Sequence, residues 1–457
     1  MHKNSLFKTM ALILPLAALA GCGGGDSKVS VSDGGKVLNI YCWNDEFQGR
    51  FRDYYPGYVS TNDAGDVDTL KDGTLVKWTM VANQGNAYQD ALDNALQNRS
   101  SQAVDDRVDM FLMEADYALK YANSSYSLDV VKDIGLTELD MSDQYQYTKD
   151  IVTDSSGAIK GSSWQATPGL YAYRRDVAKE VLGTEDPTEI QAQLSDWTKF
   201  DDVAAKMKAK GYYMLSGFDD AYRTFSNNVS SPWVDANKKI VIDPSVLTWI
   251  EQTKEYTTEG YNNQSSLWST EWAADQGPEG KVFGFFYSTW GINFTLLGNS
   301  LADANGPHEV GNGDFGKWAV CQGPASYYWG GTWLSGVNGT DNVSLVKDIM
   351  LSLTCNKTIM KQITIDTEDF TNTKTGMQEI ADDPTYGSAF LGGQNHIKLF
   401  VESAAKISMK NISAYDQGLN EGLQTAMRDY FLGTVDYETA LDNFYTAALT
   451  KYPALSR

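Results

Sequence analysis

An α/β fold around a parallel sheet is what the first third of this sequence predicts, on three observations. Residues 37–42, 74–81 and 108–112 are short apolar runs of strand length. Between them lie stripes at helical spacing: Phe47, Phe51 and Tyr54, then Tyr88, Leu92 and Leu96. A helix between two strands returns the chain to the edge it left, so the strands run parallel with right-handed crossovers.

The remaining elements follow in order. Pro56 stops the first helix, and Asp72-Gly73 turns the chain into the second strand. From residue 145 to 317 the pattern becomes mixed α+β. Residues 158–161 and 170–173 read as strands flanking a Trp164-Gln165 corner; 197–210 is a helix, 212–215 a strand and 232–243 a hairpin. Asp243-Pro244 opens a helix, with Asp as cap and Pro at the first helical position. A strand at 282–286 leads at Ser288 into a helix running through Asn293 and Leu297. The end of the chain is helical, with one stripe of Leu419, Leu423 and Met427. A second, of Leu441, Phe444, Tyr445 and Leu449, follows Asp436 as cap.

The N-terminal residues read as an address. Lys3 and Lys8 precede an apolar run, 10–20, broken only by Pro15. A bilayer span needs about 20 apolar residues, so this run fits a secretory signal. Leu19-Ala20-Gly21-Cys22 resembles a bacterial lipobox, which implies cleavage before Cys22 and a diacylglyceryl group on its sulfur. Residues 1–21 are then the signal peptide, and the Gly/Ser-rich stretch 22–35 a lipid-anchored flexible tether. Two acyl chains hold a protein on a membrane far better than one.

Composition removes several function classes. A formal charge of −22 opposes nucleic-acid binding. The histidines are His2, His308 and His396, too few and too scattered for a zinc site, and no EF-hand spacing occurs. No metal or cofactor is therefore expected. Cys42, Cys321 and Cys355 read as buried free thiols, a disulfide between two of them being the alternative. Neither a Walker A loop nor a Gly-x-Ser-x-Gly elbow is present.

In a parallel sheet, ligands sit beyond the carboxyl ends of the strands. That rule selects Trp43-Asn44-Asp45-Glu46, Ala82-Asn83-Gln84 and Glu114-Ala115-Asp116. These loops offer hydrogen-bonding groups and an aromatic face but no Arg or Lys, a mixture suited to an uncharged sugar rather than an anion. Glu114 and Asp116 share one loop. Glycoside hydrolysis needs carboxyls flanking the scissile bond about 5–9.5 Å apart, so no enzyme is expected.

Several segments in order resemble one family: Tyr41-Cys42-Trp43-Asn44, Glu114-Ala115-Asp116-Tyr117, residues 164–173, residues 283–293 around Trp290, Gly330-Gly331-Thr332-Trp333, and Leu391-Gly392-Gly393-Gln394-Asn395. The family is the carbohydrate-type extracellular solute-binding proteins of ABC importers, related to maltose-binding protein. The resemblance spans Val37 to Pro453 and implies a two-lobed periplasmic-binding-protein fold of type II, its ligand cleft between the lobes. One lobe would hold 36–128 and 330–376, the other 129–329 and 377–457. Implied ligand contacts are Trp43, Asn44, Asp45, Glu114, Asp116, Trp164, Trp290, Trp333 and Gln394. The implied partners are a carbohydrate, and a permease and its ATPase as separate chains; the protein itself would be a monomer. A Lys that some relatives carry beside the first acidic contact is missing here, where the segment is Asn44-Asp45-Glu46. The same fold with a non-sugar solute, or a glycan-active surface lipoprotein, are the alternatives.

Overall fold

A computed structural model describes residues 29–457; the signal peptide, Cys22 and the rest of the tether up to residue 28 fall outside the described residues. The larger sheet contains β1 (Val37–Cys42), β2 (Tyr58–Thr61), β3 (Val67–Leu70), β4 (Leu75–Met80), β5 (Met110–Glu114), β6 (Ser162–Ser163) and, from much later in the chain, β12 (Thr332–Gly336). Their order is β2-β3-β4-β1-β5-β12-β6. β1 runs parallel to both β4 and β5, as the helical spacers require.

The β2–β3 pair has no apolar signature, and sequence reading passes over it. Its inward residues are Leu70 and Asp68, the latter fully buried because Arg52 Nε (3.0 Å), Trp78 Nε1 (2.7 Å) and Thr61 Oγ1 (2.6 Å) all donate to its carboxylate. A buried charge held this way replaces the apolar side chain that would have marked the strand.

β12 is antiparallel to β5, placing Thr332 opposite Glu114 and Leu334 opposite Leu112. Around β1, β5 and β12 lies a core that includes Leu38, Ile40, Phe51, Trp78, Leu112, Leu334 and Ile349. Leu128, Val130, Leu136, Met141 and Trp164 are buried in this same core, and β6 pairs with β12. Residues 128–141 and β6 thus pack on the larger sheet.

The second half is built on β7 (Gly169–Arg174), β8 (Leu215–Gly217), β9 (Asn262–Ser265), β10 (Gly284–Ser288) and β11 (Trp318–Cys321). β10-β7-β11 form an antiparallel sheet, and β8 and β9 a short parallel pair. Of the strands expected at 158–161 and 212–215, isolated bridges at Ile159 and Tyr213 remain, with β8 starting at Leu215. The 232–243 hairpin is reduced to one bridge, Val234 to Ile240. The long helices start where their caps predict. Asp243 accepts from Ser245 N ahead of Pro244–Glu259, and Asp436 from Thr439 N ahead of Tyr437–Lys451. Helix Asp416–Phe431 buries Leu419, Leu423 and Met427. Cys42 and Cys321 are buried, Cys355 is half-buried, and all three are free thiols. No helix among the described residues is long and apolar enough to cross a membrane.

Candidate functional site

A cavity of about 570 Å³ lies beyond the carboxyl ends of β1 and β5, within the size range of small-molecule sites. One wall belongs to the larger sheet and carries Trp43, Asn44, Glu46, Glu114 and Asp116. The facing wall carries Trp268, Trp290, Phe294 and Trp329, with Arg223 and Gln165 between.

Trp43 is where the chain leaves the sheet, one residue after buried Cys42. Its indole leans edge-on against Tyr88 (5.6 Å between ring centres) and Tyr117 (6.4 Å). Tyr88 is fixed in turn, its hydroxyl donating to the carbonyls of Leu112 (2.6 Å) and Tyr41 (3.2 Å). The indole is thus aimed by contacts to two adjacent strands. Glu114 ends β5, and its Oε2 accepts from Asp116 N at 2.8 Å, which bends the chain into a turn.

On the other wall β10 ends at Ser288, and Trp290 follows in the short helix Thr289–Gly291. The next turn, Ile292–Leu296, is a π-helix, a form common at functional sites. Trp290 Nε1 donates to the carbonyl of Trp329 at 3.0 Å, and the two rings meet edge to face at 5.3 Å. Trp329 lies parallel to Tyr287 (6.2 Å, 20°), and Trp268 parallel to Trp290 (6.1 Å, 17°). Gly330 has φ +70°, and a Cβ there would stand 3.1 Å from Trp290 Nε1, so the close approach needs glycine. Trp268 itself has φ +68° and is 56% exposed. A bulky residue in the left-handed region is strained, and such strain concentrates at binding sites.

The charges are arranged unevenly. Arg223 donates to both oxygens of Asp116, at 2.9 and 2.6 Å, and its guanidinium lies 5.4 Å from the Trp329 ring centre. Burial would raise the Asp116 carboxyl, but the charge and hydrogen bonds of Arg223 outweigh it and hold the group below the usual carboxylate range. Glu114 is pushed up to about 8, first by burial and then by the charge of Asp116. Glu46 is raised to about 7, by burial and then by Asp369; Gln165 Nε2 donates to both carboxylates, at 3.1 and 3.0 Å. The wall therefore sets Glu114, whose charged form is disfavoured, beside Asp116, whose charged form is favoured. Donors, acceptors and flat aromatic faces with little free charge suit a polyhydroxylated, uncharged ring.

Of the residues implied by the sequence, Trp43, Asn44, Glu114, Asp116 and Trp290 come together here. The other four stand elsewhere. Asp45 points to solvent at the start of helix Glu46–Tyr54. Trp164 is fully buried in the core of the larger sheet, beneath the Arg50 guanidinium at 5.3 Å. Trp333 is 1% exposed and donates to Thr148 O at 2.7 Å; strand alternation turns Thr332 to the cavity and Trp333 to the core. Gln394 is spent on β11, bonding Val320 N (2.9 Å) and Val320 O (2.8 Å).

Sequence reading missed Arg223, Trp268, Trp329 and Gln165. The run Tyr327-Tyr328-Trp329-Gly330-Gly331 carries a signal, aromatics ahead of a glycine pair. Nothing local marks Arg223 or Trp268.

No family model matches the sequence, and no curated protein matches it. Solved structures do match in shape. An extracellular solute-binding protein of family 1 is 17% identical with a TM-score of 0.70, covering 90% of this chain and 99% of the other. The ABC-transporter-associated binding protein of Bifidobacterium animalis subsp. lactis, in complex with β-1,6-galactobiose, is 16% identical with a TM-score of 0.65, covering 92% and 99%. The sugar-binding protein MalE of Xanthomonas citri is 11% identical with a TM-score of 0.67, covering 91% and 98%. The similarity covers about nine-tenths of this chain, and the chain has the two-lobed α/β fold of the extracellular solute-binding proteins of family 1.

Proposed function

We propose that this chain is the substrate-binding component of an ABC sugar importer, taking a mono- or oligosaccharide between its two lobes and closing on it. The single observation that carries the reading is the pairing of walls across the cavity: indoles of Trp290 and Trp268 on one side, Trp43 with Glu114 and Asp116 on the other. Sugars need both, a flat apolar face for C–H groups and directed polar groups for hydroxyls. The sugar-bound neighbour and the sugar-binding MalE support it by shape. Arg223 does not turn the site toward anions, because the Asp116 carboxylate already neutralises its charge through two hydrogen bonds.

In this reading one lobe holds about 36–128 and 330–376 and the other about 129–329 and 377–457, with 128–141 and β6 packed on the sheet of the first. The protein acts outside the cytoplasm as a monomer, held to the membrane by lipid on Cys22, and delivers sugar to a separate permease and ATPase. It has no catalytic role. A calorimetric screen of the soluble part against mono- and oligosaccharides, with amino acids and organic acids as controls, tests the ligand class. Saturable binding of at least one sugar is expected; binding confined to the controls contradicts it. Cys22→Ser is expected to leave the protein in the soluble fraction, and its retention on membranes would remove the anchor from the account.

A further inference from the structure

The contact between Arg223 and Asp116 joins an element of the larger sheet to one of the second half. Asp116 follows β5 of the larger sheet. Arg223 sits on helix Tyr222–Ser226, which packs against helix Pro244–Glu259 in the second half. Its planar fork meets the carboxylate through two bonds, the geometry that gives such pairs both strength and direction. Nearby, Gln417 of the second half makes longer contacts to Gln89 (3.3 Å) and Asn86 (3.4 Å) of the first, so the ion pair is the strongest element of a polar seam.

Two further facts distinguish the pair from an ordinary strut. The side chains of Arg223 and Asp116 are 26% and 30% exposed, and both line the 570 Å³ cavity and a second one of about 580 Å³ beyond it. Water reaches the pair from two sides, so breaking it does not strand a charge in a dry interior, and it can open and reform. The same guanidinium also lies over Trp329, whose carbonyl holds the Trp290 indole. One side chain thus touches both the seam between the halves and the aromatic wall.

We propose that Arg223 is a positioning residue of the site, pairing with Asp116 to latch the two halves together before any sugar arrives and setting the Trp329–Trp290 wall in place. The inference rests on the two-lobed cleft described above, and its consequence is preorganisation. A sugar that binds the closed form gains apparent affinity in proportion to the closed fraction already present.

The test uses the sugar-free protein, with a pair of spin labels on Asp72→Cys and Asp202→Cys. Distance distributions are compared for Arg223 intact, Arg223→Gln, Asp116→Asn and the double variant, alongside near-ultraviolet circular dichroism of the tryptophans. Each single change should raise the ratio of open to closed molecules by about 5-fold or more, within the usual range of coupling between sites. The double variant should match the singles, since either one already removes the pair. Arg223→Lys keeps the charge but loses the fork and should fall between. The tryptophan spectrum should change in Arg223→Gln. Unchanged distances in both single variants overturn the proposal, including where the melting temperature falls, because the pair would then only hold the fold. Effects that multiply in the double variant overturn it as well. No sugar enters the measurement, so a failed sugar screen and a failed latch are separate results.

Discussion

The two walls of the cavity reach similar rigidity by different means. Trp43 and Glu114 are set by a parallel sheet. Each stands at a strand end, and its orientation follows from hydrogen bonds that the sheet already makes. Trp268, Trp290 and Trp329 stand on a loop, a short helix and a glycine-rich approach, and they orient one another through ring contacts and a single N–H bond. One wall inherits its geometry from backbone regularity, whereas the other assembles it from side chains and tolerates a positive φ at Trp268. A wall of the second kind can change with few substitutions while the sheet persists. It is therefore the part of the site expected to set which solute is held, and the most sensitive to substitution.

The sharpest way to break that contrast is at Trp290. A ring buried against a ligand contributes energy typical of an aromatic anchor, so Trp290→Ala should weaken sugar binding by about 10- to 100-fold, or roughly 1.4–2.8 kcal/mol. Isothermal calorimetry checks it, with circular dichroism confirming the fold; unchanged affinity would make Trp290 a packing residue. Trp268 should behave differently. Trp268→Gly removes an exposed platform and also the left-handed strain, which costs about 1–2 kcal/mol for a non-glycine residue. Binding should fall by about 3- to 10-fold while the melting temperature holds or rises, two effects of opposite sign. A large loss of stability would show that the φ of Trp268 is sustained by packing rather than kept for the ligand.

The same contrast explains what the sequence disclosed. β1, β4 and β5 were legible because buried parallel strands are apolar and separated by amphipathic helices, and the loops after β1 and β5 followed from the strand-end rule. Those loops supplied Trp43, Asn44, Glu114 and Asp116. Asp45 shared a loop with true lining residues but faces solvent. Trp290 was legible because small residues flank it. Trp333 and Trp164 were assigned by family position, and the structure places both in the core; for Trp333 the reason is strand parity, which a one-residue change of register reverses. Arg223 was invisible because its role depends on Asp116, 107 residues earlier in the chain. Long-range pairing of this sort leaves no periodic trace in either segment. β2 and β3 were missed for a related reason, one of their two buried residues being a charged Asp68.

A smaller effect sharpens the comparison from the sheet side. Glu114 is raised from 4.5 to about 8 in the folded protein, so the fold favours its protonated form. Its contribution to stability is full below about pH 4.5 and is lost as pH rises toward 8, whereas that of Asp116 is lost only in acid, as pH falls through its lowered value. The melting temperature should therefore decline between pH 5 and 8, and Glu114→Gln should make that decline shallower. Glu46 and Asp220, both raised to about 7 by burial first, keep some slope in the variant. An identical slope in the two proteins would mean that Glu114 is ionised throughout.

The central claim is that a sugar is held between two halves that close on it. Contacts available only in the closed form shift the equilibrium by their differential affinity, and a ligand without such contacts shifts nothing. The direct measurement is the distance between probes at Asp72 and Asp202, with the radius of gyration by solution scattering, at zero and saturating concentrations of the sugar that binds best in calorimetry. The account predicts a shorter distance and a smaller radius with that sugar, no change with a non-binding isomer, and the largest shift in Arg223→Gln, whose sugar-free form starts most open. Tight binding with both quantities unchanged in every variant would contradict it and leave a static sugar-binding surface in its place.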